Sequence, residues 1–432
     1  MTDSTNYQQN KAKNWRQQIS ILLISQTISM FGSMVSGFAV VWYITLKTGS
    51  GMWVTYATLA NTVPSVIISL WAGVWADRYS RRKLAMMADG GIALVTLLMA
   101  ILFAFDIDAL WLLLILLAAR SAGNGIQSPS VNALVADITP TSDLSRINGI
   151  YNTLASFSQL MAPAIGGVIL ANFDLNFAFW LDVITATIGI SMIGTLKLKP
   201  QARIREKLGI FQEMAAGLNY VKMRPLILGL MIAYFAFFVL LAPASVLSPV
   251  FVERAYGENV MYLTWSEVAW SIGSVIGGVL VSLHKVIKDK IGAISLVMIV
   301  CGVVFGVIGF ASNIVWYCVI MAIGGLVFPL LPTADTTLIQ ENVEPEFMGR
   351  VFSVFGIFVG ATTPIGTLMF GPLADVIDIK WIFLGTGILN IVVGWLFLKK
   401  MATYRRQELA KHGVIGSKSA ASSNHGDESE AE

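Results

Sequence analysis

The chain has 432 residues, of which 56% are hydrophobic and 13% are charged, with a mean hydropathy of +0.71 and a net charge of +3. Soluble proteins carry about 25% charged residues, so this composition excludes an ordinary soluble domain. The two cysteines, Cys301 and Cys318, lie inside apolar runs, and the three histidines are scattered. These counts exclude a disulfide framework and leave no recognisable hydrolase triad or metal site. We therefore expect neither an enzyme nor a cofactor, and no nucleic-acid partner.

The N-terminal residues 1–18 are polar, and the apolar run that follows lacks the small-residue cleavage site of a secretory signal. We expect a cytoplasmic N-terminus and a retained first membrane helix. A helix needs about 20 predominantly apolar residues to cross a bilayer. Runs of this kind recur along the chain and predict twelve membrane-spanning helices, at 19–45, 52–76, 84–105, 110–136, 147–171, 177–196, 226–251, 263–284, 291–312, 314–339, 350–374 and 381–398.

The longest break between predicted spans divides them into two sets of six. We expect an N-terminal bundle over 19–196, a cytoplasmic linker over 197–225 and a C-terminal bundle over 226–403. The polar, small-residue-rich segment 404–432 predicts a disordered cytoplasmic tail. The fold class is therefore an all-α membrane protein with two six-helix bundles.

An internal repeat supports this division. A shift of 204 residues aligns "LVADITPTSDLSR" (134–146) with "LIQENVEPEFMGR" (338–350), and the same shift places Gly73 on Gly277. Repeated halves are typical of secondary transporters, whose substrate sites lie near the middle of the membrane between the repeats.

The distribution of basic residues predicts the orientation. With a cytoplasmic N-terminus, 25 of the 29 Lys and Arg residues fall in cytoplasmic segments, while Lys47, Arg254 and Lys380 are external and Arg120 is inside a span. Cytoplasmic loops carry the excess of Lys and Arg. The sequence thus predicts a multi-pass protein of the cell membrane with both termini in the cytoplasm.

The stretch "GVWADRYSRRK" interrupts two apolar runs between the second and third predicted helices. Its residues resemble the loop 2–3 signature of the major facilitator superfamily, G-x-x-x-D-R-x-G-R-R-K, with Ser80 in place of a glycine; the matching positions are Gly73, Asp77, Arg78, Arg81, Arg82 and Lys83. A glycine permits close helix approach, an aspartate can face a helix N-terminus or an arginine, and basic residues bind the anionic inner surface. We interpret the loop as a gate; the alternative is a signal for topology alone.

Arg120 lies about 15 Å deep in the fourth helix, at 1.5 Å per residue. Arginines kept at that depth face a cavity or a partner, and "RSAGNGIQSP" resembles the superfamily's fourth-helix arginine motif. A structural ion pair with Asp182 or Glu267 is the alternative. Intramembrane acids are candidate proton carriers: we expect Asp89 to pair with the basic loop and Asp182 to be structural, while Glu267 and Asp335 are the better coupling candidates.

The fifth helix carries "GIYNTLASFSQLMAPAIGG", which resembles the superfamily's antiporter signature G-x8-G-x3-G-P-x2-G-G. The matching positions are Gly149, Pro163, Gly166 and Gly167, and Ser158 and Ala162 replace two glycines. The resemblance favours exchange over symport; helix packing alone is the alternative reading.

A drug-sized pocket is predicted on the helices that line the family's cavity. Its candidate residues are Gln26, Met30 and Met34 on the first helix, Asn124 and Gln127 on the fourth, and Tyr234, Phe237 and Phe238 on the seventh. Methionine and aromatic surfaces suit varied apolar ligands, although such stripes also serve in helix packing.

Several stretches, including "FWLDVITA" and "GPLADV", resemble the bacterial macrolide-efflux type of drug:proton antiporter over both halves. The resemblance implies export of small hydrophobic compounds in exchange for protons, driven by the proton gradient, by a protein that we expect to be a monomer in the lipid bilayer. Two alternatives stay open: proton-coupled uptake of a nutrient such as a sugar or peptide, and a transport-inactive sensor or assembly subunit.

Overall fold

A computed structural model describes residues 2–140, 142–196, 210–257, 259–283 and 287–411. Some side chains inside the helices also lie outside the description, among them those of Asp77 and Arg78, and the surroundings of Gly73 are likewise outside it. The described residues form α-helices and no strand: α1 Thr2–Thr48, α2 Gly51–Arg78, α3 Arg81–Ala104, α4 Leu110–Ile138, α5 Leu144–Asn172, α6 Leu175–Gly194, α7 Ile210–Lys222, α8 Pro225–Val246, α9 Ser248–Tyr256, α10 Val260–Leu283, α11 Lys290–Val307, α12 Ile314–Val327, α13 Leu330–Asn342, α14 Pro345–Phe370, α15 Ile379–Lys400 and α16 Ala402–Lys411.

Eleven segments within the described residues are long and apolar enough to cross a membrane. The remaining predicted span, 52–76, falls on α2, a continuous helix of 28 residues. The all-α membrane fold is therefore confirmed, and the count of twelve spans agrees approximately with the helices observed.

Two predicted spans are each divided into two helices near prolines. The chain turns at Leu247 between α8 and α9, between Pro243 and the Pro249 that opens α9. It turns again at Phe328 and Pro329 between α12 and α13. Proline supplies no backbone N–H and clashes with the preceding turn, so it favours a break in the helix.

The ends of the chain differ from the prediction. Helix α1 begins at Thr2, well before the predicted start at residue 19. The first proline of the chain is Pro64, so no proline interrupts the helix between its polar N-terminal residues and its apolar part. The prediction of a disordered tail from residue 404 is wrong for its first residues, because α16 runs from Ala402 to Lys411. Its Ala, Arg, Gln, Glu, Leu and Lys residues are good helix formers, and Arg405 Nε donates to Asp289 Oδ2 at 2.8 Å. The rest of the predicted tail, 412–432, lies outside the described residues.

The predicted linker 197–225 contains α7, a helix that sequence analysis did not expect. Residues 197–209 of the linker lie outside the description. Tyr220 of α7 stacks on Phe347 of α14, with ring centroids 4.4 Å apart, so this segment packs on the C-terminal helices.

Contacts divide the chain into two compact units. Unit 1 consists of Met1–Gly49, Trp53–Glu206 and Glu258–Thr264, and unit 2 of Ser50–Met52, Lys207–Gly257 and Trp265–Glu432. In unit 1, α1 packs on α5 and α6, and α3 packs on α4 and α6. In unit 2, α11 packs along α15, and α8 contacts α14 and α15.

Glycines allow α10 and α12 of unit 2 to touch through their backbones. A Cβ added to Gly277 would lie 2.0 Å from the carbonyl oxygen of Leu326, and one added to Gly273 would lie 2.1 Å from that of Ala322. The two glycines are four residues apart on α10, the spacing that lets membrane helices approach closely. Any larger side chain at either position requires α12 to move.

Candidate functional site

Arg120 and Asp182 form a buried ion pair in unit 1. The guanidinium Nη1 of Arg120 on α4 donates to the carboxylate Oδ2 of Asp182 on α6. Arg120 is 5% exposed and Asp182 is fully buried. Of the two partners proposed for Arg120 in the sequence, Asp182 rather than Glu267 is the one in contact.

Helices α1 and α3 supply the remaining hydrogen bonds of this ion pair. Ser33 Oγ donates to Asp182 Oδ1 at 2.8 Å, and Arg120 Nη2 donates to the backbone carbonyl of Ser33 at 2.7 Å. Arg120 Nη1 also donates to Thr96 Oγ1 at 2.9 Å. A buried ion pair offsets its desolvation only when further hydrogen bonds satisfy both groups, and four helices meet that requirement here.

Asp89 forms a second buried polar group in unit 1. Gln26 Nε2 on α1 donates to Asp89 Oδ2 at 3.3 Å, and Gln127 Nε2 on α4 donates to Asp89 Oδ1 at 3.0 Å. Gln127 Nε2 also lies 2.9 Å from Gln26 Oε1, so the two amides contact each other. Asp89 is 3% exposed. The predicted pairing of Asp89 with the basic loop is wrong: its described partners are these two amides.

The two groups are layers of one polar column. Gln26 and Ser33, Asp89 and Thr96, and Arg120 and Gln127 are each seven residues apart, which is about two helical turns or 10 Å along a helix. Each of the three helices therefore contributes one side chain to each layer. Only α6 contributes to a single layer. Seven residues after Asp182 it has Gly189, where a Cβ would lie 3.0 Å from the carbonyl oxygen of Ser25.

The polar column contains one arginine and two aspartates among its described residues. Arg120 balances Asp182, while Asp89 has amide donors and no cation within ion-pair distance in the described part of the chain. An ionised carboxylate away from water is strongly unfavourable without a compensating charge. The column can therefore accept one positive charge at Asp89.

Sequence reasoning missed three members of the column: Ser33, Ser36 and Thr96. Ser36 Oγ lies 3.4 Å from Arg120 Nη1. Serine and threonine are common in membrane helices, so their type alone carries little information. The seven-residue spacing from Gln26 to Ser33 and from Asp89 to Thr96 is the signal that identifies two of them.

The described part of the loop 2–3 signature binds other helix ends of unit 1. Ser80, which replaces the family's glycine, is the N-cap of α3, with its Oγ 3.5 Å from the Lys83 backbone nitrogen. Arg81 Nη1 lies 2.8 Å from Asp137 Oδ1 near the end of α4, and Arg82 donates to the backbone carbonyls of Gly194 and Leu196 at the end of α6. The side chains of Asp77 and Arg78 and the surroundings of Gly73 lie outside the description, so the gating role stays a prediction.

The acids of unit 2 have few polar partners. Asp335 on α13 is 5% exposed, and Thr336 Oγ1 donates to its Oδ1 at 3.1 Å. Glu267 on α10 has no hydrogen bond or ion pair with any described residue. Neither acid is paired with a cation in the part of the chain that the structure describes. Both remain candidates for coupling.

The predicted cavity residues occupy different environments. Phe237 is fully buried against Phe238 and belongs to the core of unit 2, so its assignment to a cavity surface is wrong. Met34 packs against an apolar cluster of unit 1, while Asn124 is exposed. Gln26 and Gln127 belong to the polar column. Half-buried positions are occupied by Met30 and Phe238.

The antiporter-type signature lies on α5, which continues through Pro163 without a break. A Cβ added to Gly166 would lie 3.3 Å from the carbonyl oxygen of Val35 on α1, and one added to Gly167 would collide with the side chain of Thr264 and lie 3.1 Å from the Trp42 ring. Gly149 has no neighbour within 4 Å of such an added atom. Gly166 therefore permits close packing of α5 on α1, and Gly167 leaves room for Thr264; the role in exchange stays a prediction.

Among the residues that the structure describes, no group of three or more His, Cys, Asp or Glu residues is arranged to hold a metal ion. The fold combines many apolar helices with buried ionisable groups in each unit. Intramembrane ionisable residues that are buried in the protein mark substrate and ion pathways. The chain is thus a multi-pass membrane protein of the transporter class.

The Major Facilitator Superfamily profile matches residues 22–367, and the chain belongs to this family. The family consists of transporters, not enzymes. The chain is 26% identical over 388 residues to macrolide efflux protein A of Streptococcus pyogenes, covering 89% of this chain and 96% of that protein. It is also 26% identical over 405 residues to the multidrug efflux pump Tap of Mycobacterium tuberculosis, covering 91% and 96%.

Solved transporter structures share the fold. The nucleoside transporter NupG superposes with a TM-score of 0.63 at 14% identity, covering 89% of this chain and 98% of that chain. A peptide-bound POT family transporter gives a TM-score of 0.68 at 12% identity, covering 90% and 96%. At these identities the similarity shows the fold alone.

Proposed function

We propose that the protein exports hydrophobic, drug-like compounds of the macrolide type in exchange for protons, by alternating access. Support comes from relatives named as macrolide and multidrug efflux proteins, whose similarity to this chain extends over almost its whole length. The expected substrate is a small hydrophobic molecule, the second substrate is a proton, and no cofactor is needed.

The observation that carries the proposal is the uncompensated Asp89 in the polar column of unit 1. Its carboxylate accepts hydrogen bonds from Gln26 and Gln127 and faces no cation among the described residues. Taking up one proton there removes the excess negative charge of the column. Because each glutamine carries both an N–H donor and an oxygen acceptor, rotation of an amide can provide an acceptor for the proton of a neutral Asp89.

This chemistry links proton binding to the helices that would have to move. Asp89 lies on α3 and its two partners lie on α1 and α4. Protonation of Asp89 turns one of its two oxygens into a donor, so one of the two hydrogen bonds that join these helices reverses its direction while the other can persist. The energy of a proton gradient can then bias one packing of unit 1 over another, as a population shift requires.

The test uses the full-length protein in proteoliposomes with a radiolabelled macrolide and an imposed pH gradient. We expect wild type to accumulate the macrolide against its gradient. Asp89→Asn, which keeps the size of the side chain and cannot ionise, should still equilibrate the macrolide but lose accumulation driven by the pH gradient. Asp108→Asn, a loop control, should behave as wild type. If Asp89→Asn accumulates macrolide as fast as wild type does, Asp89 is not the coupling group.

Nutrient uptake and a transport-inactive role predict other results in the same assay. Uptake of a sugar or peptide with the proton gradient, without movement of any hydrophobic compound, would establish the first alternative. No movement of either class of compound would favour the sensor or assembly role. The three functions therefore separate by substrate and direction.

We further propose a cell-membrane location with both termini in the cytoplasm and a monomeric state. The support for the orientation is the excess of Lys and Arg in the segments that it places inside. In a background without Cys301 and Cys318, an impermeant maleimide should label Asp108→Cys on intact cells, and Lys83→Cys only after permeabilisation. The reverse pattern would invert the orientation.

A further inference from the structure

A cavity of about 630 Å³ opens beside the turn that joins α5 to α6 in unit 1. It is lined by residues from the end of α5 and the start of α6: Leu170, Ala171, Asn172, Phe173, Asp174, Asn176, Phe177 and Trp180. This lining contains one acid and neither Lys nor Arg. None of these residues belongs to the polar column or to the predicted drug pocket, so the cavity is separate from both.

The polar groups at this cavity are hydrogen-bond acceptors that lack a donor. Asp174 is exposed and has no ion pair with any described residue. Asn176 Oδ1 is buried and has no hydrogen-bond partner in the described part of the chain. Helix α5 ends at Asn172, and the last carbonyl groups of a helix form the negative end of its dipole. Because a buried acceptor without a donor is unfavourable, a ligand that carries several N–H donors is stabilised here.

Apolar surface continues from the cavity along α6. The rings of Phe173 and Phe177 are stacked, with centroids 4.7 Å apart. An exposed apolar face then runs down the helix, with side chains three or four residues apart that are 42% to 54% exposed: Phe177, Trp180, Ile184 and Ile188. Residues at this spacing are neighbours on one face of a helix. On a membrane helix such a face contacts lipid acyl chains.

We propose that this cavity binds a phospholipid with a primary ammonium headgroup, of which phosphatidylethanolamine is the simplest. The ammonium carries three N–H donors, and it meets the carboxylate of Asp174 and, once the carboxamide has turned toward the cavity, Asn176 Oδ1. The phosphate lies toward the first turn of α6. There the side chain of Asp174 makes no capping hydrogen bond, and the first backbone N–H groups of a helix have no partner within it. The acyl chains lie along the exposed apolar face of α6.

The lining distinguishes this headgroup from the two commonest alternatives. An anionic headgroup such as phosphatidylglycerol is repelled by Asp174 and finds no Lys or Arg in the lining. Phosphatidylcholine has the same net charge as phosphatidylethanolamine, but its trimethylammonium group carries no N–H donor, so the hydrogen bonds to Asp174 and Asn176 are lost. Lipid binding at this place needs neither a transported substrate nor a proton gradient. The inference therefore goes beyond the proposed export and does not depend on it.

The experiment is native mass spectrometry of the full-length protein in detergent, titrated with phospholipids that share their acyl chains and differ only in the headgroup. Stepwise N-methylation from phosphatidylethanolamine to phosphatidylcholine keeps the charge and removes the N–H donors one at a time. We expect wild type to bind phosphatidylethanolamine about tenfold more tightly than phosphatidylcholine, equal to about 1.4 kcal/mol, with the methylated lipids between them. Phosphatidylglycerol should bind no better than phosphatidylcholine does.

Two variants test the acceptors separately. Asp174→Asn removes the charge, keeps the size of the side chain and should lower the affinity for phosphatidylethanolamine to nearly that for phosphatidylcholine. Asn176→Leu should reduce the preference between the two lipids and leave the affinity for phosphatidylcholine unchanged. The matched control is Asp106→Asn, which removes another exposed acid, in the turn after α3, and should bind as wild type does.

Photolabelling tests the location. A phosphatidylethanolamine with a diazirine near the glycerol end of one acyl chain should label the segment 173–188 of wild type in nanodiscs. Labelling of other segments only would overturn the proposal. This measurement and the methylation series use wild type, so they remain decisive if a variant does not fold.

Equal affinity of wild type for phosphatidylethanolamine and phosphatidylcholine, tighter binding of phosphatidylglycerol, or an unchanged preference in Asp174→Asn would also overturn the proposal. Failure of the proposed export has a different signature. In that case wild-type proteoliposomes move no hydrophobic compound, whatever the headgroup preference of the protein.

Discussion

Arg81 and Asp137 join the first residue of α3 to the end of α4, with 2.8 Å between Nη1 and Oδ1. Unit 2 contains the counterpart of this pair: Lys290, the first residue of α11, lies 3.1 Å from Glu341 near the end of α13. Asp137 and Glu341 are the two acids that the 204-residue repeat aligns. The acid of the contact is thus repeated in the sequence, while its basic partner Lys290 lies five residues after the position that the same shift assigns to Arg81.

The two pairs differ in burial, and this difference predicts unequal stability effects. Lys290 is fully buried although its partner Glu341 is 47% exposed, while Arg81 and Asp137 are both partly exposed, at 20% and 24%. Ion pairs that solvent reaches at both ends contribute about 0–1 kcal/mol, whereas removing the partner of a fully buried charge costs about 3–5 kcal/mol. We expect Glu341→Gln to lower the apparent melting temperature in detergent more than Asp137→Asn does.

Glu344→Gln is the matched control, because Glu344 pairs with Arg224 where both side chains are about half exposed, at 54% and 48%. We expect this variant to melt as wild type does. A larger loss in Asp137→Asn than in Glu341→Gln would contradict the ranking.

The buried ion pair between Arg120 and Asp182 predicts that the stability losses caused by substituting each residue are strongly non-additive. Removing one partner leaves an uncompensated buried charge, at a cost of about 3–5 kcal/mol. Arg120→Met and Asp182→Leu should each reduce the yield of monodisperse protein and its melting temperature. The double variant should recover much of the loss, because an apolar pair replaces the charged one. Melting curves of all four proteins form the double-mutant cycle, and additive losses would argue against direct coupling.

The contact of α10 with α12 predicts that substitution of two neighbouring glycines has unequal effects on stability. Gly277→Ala places a methyl group 2.0 Å from the carbonyl oxygen of Leu326, so the helices must separate. Overpacking of this kind costs about 1–3 kcal/mol. Gly278→Ala is the control, since nothing lies within 4 Å of its added Cβ. Thermal unfolding should show a lower midpoint for the first variant only, and equal midpoints would contradict the close contact.

The Lys47–Asp108 pair is expected to make no contribution to the pH dependence of transport near neutral pH. The hydrogen bond from Lys47 holds the pKa of Asp108, in the loop after α3, below its ordinary 3.8. A depressed carboxyl pKa gives stability that is present above the ordinary value and is lost as the pH falls through the lowered one. Between about pH 5 and 8 the pair should therefore stay ionised. Transport–pH profiles of wild type and Asp108→Asn should coincide there; a shifted profile would implicate this pair in coupling.

Composition, basic-residue counts and the loop signature were sufficient to predict the fold class. The residues that matter most were also visible: Arg120, Asp89 and Asp182 are conspicuous because charge is rare inside membrane helices. Their partners were not, because pairing depends on helix rotation and tilt. Asp89 lies six residues after Lys83 in the sequence, yet its carboxylate meets two glutamines that are 63 and 38 residues away.

Element ends were harder to predict for a different reason. Hydropathy detects whether a segment suits the bilayer, and it is insensitive to backbone breaks inside an apolar run. Pro329 therefore lay unnoticed within one predicted span, and the polar residues of α16 were taken for a disordered tail although they favour a helix. Phe237 was placed on a cavity surface because spacing along a helix does not show which face the neighbouring helices cover.

The pairing of Arg120 with Asp182 also has a consequence for biosynthesis. An arginine at the centre of a lone helix costs about 2.5–3.5 kcal/mol on insertion, and its partner is synthesised 62 residues later. At about 5–20 residues per second, α4 waits roughly 3 to 12 seconds for α6. During that interval the translocon, water or neighbouring helices must stabilise the charge of Arg120. The order in which the helices are synthesised therefore affects the assembly of this transporter.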